Sequence, residues 1–82
     1  MNKRRLLIID DEDELRQSLV DQLTHYREFD ITEGATAGAA LETAKASPFD
    51  LLIMDVGLPD MDGREAVKIL RQDGFKSPII ML

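Results

Sequence analysis

Leu51-Leu52-Ile53-Met54-Asp55-Val56-Gly57-Leu58-Pro59-Asp60-Met61-Asp62-Gly63 is the stretch on which the fold turns. A short apolar run of strand length delivers one carboxylate, Asp55, to its carboxyl end. A turn-forming segment containing Pro59 and Gly63 then leads into a helical pattern with Ala66, Val67 and Leu70 on its inward face, ended by Asp73-Gly74. Ser77-Pro78 introduces a second apolar run, Ile79-Ile80-Met81-Leu82.

Upstream, Ala46-Ser47-Pro48 stops an earlier helix, because proline has no backbone N–H to donate and biases the residue before it away from helical angles. That helix lines one face with Ala37, Ala40, Leu41 and Ala44, small enough to approach a sheet closely, and Thr36 is its predicted N-cap. Phe29-Asp30-Ile31-Thr32 alternates as a short strand does. Leu15, Leu19, Val20 and Leu23 share one face of a first helix, with Arg16, Gln17, Asp21 and Gln22 on the other and Asp11 to Asp13 supplying its cap and first-turn acids. Leu6 to Ile9 fits either a strand covered on both faces or a buried helical piece, and its length and abrupt end at Asp10-Asp11 favour the strand. The order β-α-β-α-β-α-β, with the third strand running from Phe49 to Met54, predicts a parallel α/β sheet flanked on both faces and joined by right-handed crossovers.

The bulk composition narrows the function classes. Ten Lys plus Arg against sixteen Asp plus Glu give a formal charge of −6, which disfavours direct binding to nucleic acid or an anionic membrane and suits a basic partner or a bound cation. The absence of cysteine excludes disulfides, thiolate chemistry and a Cys-based zinc site. Met1-Asn2-Lys3-Arg4-Arg5 reads as a basic lead-in to a buried strand, since the apolar run after it is too short for a signal peptide or a membrane span. A cytoplasmic protein is expected. The chain stops on an apolar strand with no helix after it, so we expect a domain that continues beyond Leu82, or a partner chain that covers the strand.

Asp10 and Asp55 each end an apolar strand, and in a parallel sheet such ends share one edge, where ligands bind. If the first and third strands are neighbours, Asp10, Asp11 and Asp55 converge. Carboxylates that close repel one another unless protonated or bridged by a cation, and their hard oxygens without histidine or cysteine suit Mg²⁺ better than zinc. The alternative is that Asp10-Asp11-Glu12 forms only a helix cap and a solvated turn, the reading that also suits Asp60 and Asp62.

Three blocks, Leu7-Ile8-Ile9-Asp10-Asp11-Glu12, Asp50 through Gly63, and Pro78-Ile79-Ile80-Met81-Leu82, together resemble the receiver domain of bacterial two-component response regulators. The resemblance spans nearly the whole chain. It implies a flavodoxin-like three-layer sandwich with strand order 2-1-3-4-5 in the full domain, of which residues 1–82 hold four strands, the N-terminal two-thirds. It implies that Asp55 is the nucleophile accepting a phosphoryl group from the phosphohistidine of a sensor histidine kinase, making the chain a signalling module and not an enzyme. Asp10 and Asp11 match the acidic pair that binds Mg²⁺, Asp11 directly and Asp10 largely through water, and Gly57 matches the position whose backbone carbonyl completes the metal ligands. Pro59 and Gly63 match residues that shape the entry to the third helix.

The implied partners are the cognate kinase and an effector domain or protein, with nucleic acid reached only through an effector domain outside these residues; the family also forms homodimers through a surface beyond Leu82. The family's Ser or Thr after the fourth strand and Lys after the fifth likewise fall beyond Leu82, and Lys76 does not match that Lys. Residues 1–82 alone are therefore expected to bind metal weakly and to phosphorylate slowly. Two other classes compete. A phospho-aspartyl hydrolase would place a second carboxylate where Gly57 has no side chain. A non-phosphorylated interaction receiver sits poorly with the presence of Asp10, Asp11 and Asp55. His25 reads as a helix-end or surface residue, and Arg64, Lys68 and Arg71 as a solvated face or a kinase or effector contact.

Overall fold

The computed structural model describes residues 3–82, so Met1 and Asn2 of the basic lead-in lie outside it. Four strands, β1 (Arg4–Ile9), β2 (Phe29–Gly34), β3 (Leu51–Met54) and β4 (Ile79–Met81), alternate with three helices, α1 (Asp13–Thr24), α2 (Ala37–Ala46) and α3 (Gly63–Gln72). The sheet is parallel in the order β2-β1-β3-β4, the predicted flavodoxin-like order for the strands present.

The topology follows from handedness. A right-handed crossover from β1 to β2 places α1 on one face, and the next crossover runs the opposite way past β1 to β3, which puts α2 on the other. Each central strand is thus covered on both sides, which is why β1 and β3 read as unbroken apolar runs. Leu7, Ile9, Leu52 and Met54 pack against Ala37 and Ala40 of α2 and Ala66 and Leu70 of α3. Leu6, Ile8 and Ile53 pack on the other side against Val20 and Leu23.

The predicted element ends shift where pairing or capping decides them. β1 takes in Arg4 and Arg5, which pair with Phe29 and Asp30, and β2 runs on to Gly34 because Ile9 pairs with it. β3 begins at Leu51, after Phe49 has packed into the core and Asp50 has accepted the Arg5 N–H. The cap of α1 is not supplied by the side chains of Asp11 to Asp13; Glu12 holds the N-cap position without a side-chain bond, and Asp10 Oδ1 accepts the Glu12 N–H at 2.9 Å. Thr36 caps α2 as expected, accepting the Ala39 N–H at 3.0 Å. Asp73 closes α3, and Gly74 follows with φ +97°, a conformation open to glycine at little cost.

α1 buries none of its residues fully, and Leu15 at its start stays 47% exposed because Val20 and Leu23 make the contacts with the sheet. On that same face Ile80, paired with Ile53, is 48% exposed on the edge strand. Among the described residues, no helix is long and apolar enough to cross a membrane.

Candidate functional site

The ladder between β1 and β3 ends at Ile9↔Met54, so the residues that follow, Asp10 and Asp55, leave the sheet side by side. Backbone bonds continue past the strands and fix both: Asp55 N–H donates to Ile9 C=O at 2.9 Å and Asp10 N–H to Gly34 C=O at 3.1 Å. This is the carboxyl edge of the sheet, where the chain leaves β1 toward β2 on one side and β3 lies on the other, the position at which open parallel sheets bind ligands.

Asp10, Asp11 and Asp55 meet there, one carboxylate oxygen from each lying within 4.8 Å of the others. Asp10 is 1% exposed, Asp55 half-buried and Asp11 exposed. Asp10 Oδ1 is satisfied by the Glu12 N–H, but Oδ2 is buried with no hydrogen-bond partner among the described residues. A buried acceptor left that way costs about 1–3 kcal/mol, and more when charged, so the site calls for a cation or a cation-bound water. Three convergent carboxylates without histidine or cysteine are the donor set of a hard divalent ion, so the residues present fit a metal centre.

One residue of the site escapes the sequence pattern. Arg16 falls on the polar face of α1, yet its side chain is only 16% exposed. Its guanidinium donates to the Asp10 carbonyl at 2.6 Å, to Asp13 at 2.7 Å and to Glu33 at 3.1 Å. The bond to Asp13, then that to Glu33, pushes its pKa above the usual value against the opposing effect of burial. A fixed cation thus holds the backbone of the acidic loop and ties it to the end of β2. The only local signal is the i, i+3 spacing from Asp13; Glu33 comes into reach through the sheet order alone.

The loop from Asp55 to Asp62 is closed by backbone bonds from Leu58 and Gly63 to the Val56 carbonyl, at 3.2 and 2.7 Å. Leu58 is buried and Gly57 exposed. Gly63 must be glycine for space, since a Cβ there would lie 2.5 Å from the Asp55 carbonyl oxygen; at Gly57 a Cβ would meet nothing within 4 Å. Neither Asp60 nor Asp62 joins the acidic cluster, in keeping with their reading as caps. Asp62 caps α3, accepting the Arg64 N–H at 2.8 Å, and the Arg64 side chain, followed by that N–H, holds its carboxyl down to about 2. Asp60 caps a different helix, taking the Gly38 and Ala37 N–H groups of α2 at 2.9 Å each, and these bonds lower its pKa in that order.

The remaining singled-out residues lie elsewhere. Arg64 is paired with Asp62, and Arg71 donates to the Phe75 and Ser77 carbonyls; Lys68, on the same helical face, makes no side-chain bond among the described residues. His25 is exposed at the end of α1 and Lys76 precedes β4, both away from the acidic edge. A cavity of about 300 Å³ lined by Leu41, Phe49, Leu70 and Phe75 also lies away from Asp10, Asp11 and Asp55, so concavity does not coincide with chemistry here.

A parallel three-layer α/β domain carrying a carboxylate cluster at the point where its strand order reverses is a doubly wound ligand-binding fold. The chain belongs to the response regulator receiver domain family, whose model matches residues 6–82. This is a regulatory family, and the acidic cluster is the feature typical of its phosphoaccepting, metal-binding site. The alkaline phosphatase synthesis transcriptional regulatory protein PhoP of Bacillus subtilis is 38% identical over 85 residues, covering 100% of this chain and 33% of the relative. A protein-glutamate methylesterase/protein-glutamine glutaminase of a Nocardioides species is 37% identical over 78 residues, 94% of this chain and 21% of that one. The chain thus spans between 21% and 33% of these curated relatives. Among solved structures, the chemotaxis response regulator CheY4 of Vibrio cholerae aligns with a TM-score of 0.91 at 30% identity, over 98% of this chain and 68% of that one. The response regulator TrrA of Thermotoga maritima, in complex with Mg²⁺ and BeF, aligns with a TM-score of 0.88 at 27% identity, over 95% and 67%.

Proposed function

We propose that Asp55 is the phosphoacceptor of a two-component phosphorelay, receiving its phosphoryl group from the phosphohistidine of a cognate sensor histidine kinase in a Mg²⁺-dependent reaction. The observation that carries this is the meeting of Asp10, Asp11 and Asp55 within 4.8 Å at the carboxyl edge of the sheet, with one buried Asp10 oxygen unpartnered. The TrrA complex supports the choice of metal, because a receiver of the same fold takes Mg²⁺ together with BeF.

In this scheme an Asp55 carboxylate oxygen attacks phosphorus, a P–O bond forms, the P–N bond breaks, and its electron pair returns to the imidazole nitrogen. Asp11, Asp55 and the Gly57 carbonyl would hold Mg²⁺, with Asp10 acting largely through water. When bound, the ion offsets the charge that the incoming phosphoryl group brings against these carboxylates. The ladder bond from the Asp55 N–H to Ile9 holds the nucleophile in register with the acidic pair, and Arg16 holds the Asp10 backbone. Water attack on the acyl phosphate returns the carboxylate and inorganic phosphate, so the mark is temporary.

The signal then passes to an effector domain or protein. The relatives include a transcriptional regulator and a methylesterase, which supports more than one kind of effector. A cytoplasmic location suits a partner of a sensor kinase. Incubation with phosphoramidate, with and without Mg²⁺, tests the proposal. The expected result is slow uptake of one phosphoryl group that needs Mg²⁺ and is abolished in Asp55→Asn, and uptake indifferent to Mg²⁺ would overturn it.

A further inference from the structure

The loop after β3 carries Asp55 and Gly57 at its near end and closes on Gly63 at its far end. Its outer part, Pro59 and Asp60, is exposed to solvent. There the Asp60 carboxylate reaches back 22 and 23 residues, Oδ2 to the Gly38 N–H and Oδ1 to the Ala37 N–H, both at 2.9 Å. Each oxygen takes a separate donor at the positive end of α2, so charge and geometry both favour the contact.

α2 has a local cap of its own in Thr36, whose Oγ1 accepts the Ala39 N–H. What Asp60 adds is a bond between the two segments. Only Leu58 and Pro59 separate it from Gly57; Leu58 is buried and the φ of Pro59 is fixed by its ring, so the connection is short and stiff.

We propose that Asp60 is a positioning residue: by docking on the first two N–H groups of α2 it holds the Leu58-Pro59 arm, and with it the Gly57 carbonyl, in place. The inference rests on the proposed role of Gly57 at the metal, and it makes the position of α2 a determinant of metal affinity. Phosphoryl chemistry at Asp55 and the placement of a helix that touches none of the reacting groups then share one contact.

The test compares Asp60→Ala, Asp60→Asn and Thr36→Ala in the full chain by two readouts. The first is hydrogen exchange at the Leu58 and Gly63 amides, both bonded to the Val56 carbonyl, in the absence of metal. The second is the Mg²⁺ concentration that half-saturates the amide shifts of Asp11 and Gly57. Asp60→Ala is expected to speed exchange at both amides and to raise the half-saturating Mg²⁺ concentration about tenfold, the low end for groups that orient metal ligands. Asp60→Asn retains one acceptor oxygen and falls between. Thr36→Ala weakens the start of α2 without touching the loop and leaves both readouts at the wild-type level. The proposal is overturned if Asp60→Ala exchanges and titrates as wild type does, or if Thr36→Ala moves both readouts as far, which would reduce Asp60 to a support for α2. Should the wild type bind no Mg²⁺ and accept no phosphoryl group, the proposed function fails, while the exchange comparison still decides whether Asp60 holds the loop.

Discussion

Gly63→Ala is the substitution whose cost follows most directly from the geometry. The added Cβ would sit 2.5 Å from the Asp55 carbonyl oxygen, 3.0 Å from Val56 Cα and 3.1 Å from Met81 Cε. The methionine end can swing aside, but the first two atoms are backbone. Restoring ordinary contact, roughly 3.5 Å, requires α3 to move about 1 Å from the residue that carries the site carboxylate. That shift also strains the 2.7 Å bond from the Gly63 N–H to Val56. Overpacking of this kind costs about 1–3 kcal/mol, offset by at most about 1 kcal/mol of improved helix propensity. A net loss near 1–2 kcal/mol lowers the melting temperature of a domain this size by about 5–15 °C. Thermal melts followed by far-UV circular dichroism measure it. Gly57→Ala is the matched control, because a Cβ there meets nothing within 4 Å and its φ is not positive; its melt should equal or slightly exceed that of wild type. A Gly63→Ala melt no lower than that of Gly57→Ala would refute the steric reasoning.

Three further outcomes follow from the same structure. Arg16→Ala should cost about 1–3 kcal/mol in urea denaturation by leaving the Asp10 carbonyl and two carboxylates without their donor, and Arg16→Lys should not restore it, because an ammonium cannot span three acceptors in the same fork. Asp62 has a folded pKa of about 2 against an ordinary 3.8, so its contribution to stability is in full force above the ordinary value and is lost as pH falls through the folded one; Asp60, also lowered, adds in the same direction. Acid titration by NMR should therefore find Asp62 ionised to low pH in wild type and shifted upward in Arg64→Ala. Mg²⁺ at a hundredfold excess over its dissociation constant should stabilise the fold by about 2.7 kcal/mol. Asp11→Ala should lose that response while melting higher than wild type without metal, since it removes one of three mutually repelling carboxylates.

How much of this was visible beforehand differs from residue to residue. The pattern of Leu6 to Ile9 favours a buried strand over a helical piece, and Phe49 to Met54 reads as a strand two residues longer than the one formed; an aspartate after each run places Asp10 and Asp55 at one edge once β1 and β3 prove to be neighbours. Thr36, Pro48 and Gly74 marked helix ends through chemistry that operates within a few residues. Whatever depends on a partner distant in the chain stayed hidden. The extension of β2 to Gly34 comes from pairing with Ile9, and the role of Arg16 depends on Glu33, 17 residues away. Asp60 carried the pattern of a local turn or cap, yet its partners stand at the start of a helix that precedes β3. The start of α1 has no side-chain cap, and the Glu12 N–H turns back to Asp10 for a related reason, since the burial that orients the Asp10 carboxylate is a property of the sheet.

The central claim, that Asp55 is the phosphoacceptor, is tested most directly by locating the phosphoryl group. After incubation with phosphoramidate and Mg²⁺, borohydride converts an aspartyl phosphate to homoserine, and peptide mass spectrometry reads the converted position. We expect homoserine at residue 55 alone, absent when Mg²⁺ is withheld. Conversion at Asp10, Asp11 or another carboxylate, or phosphoryl uptake that persists in Asp55→Asn, would contradict the assignment.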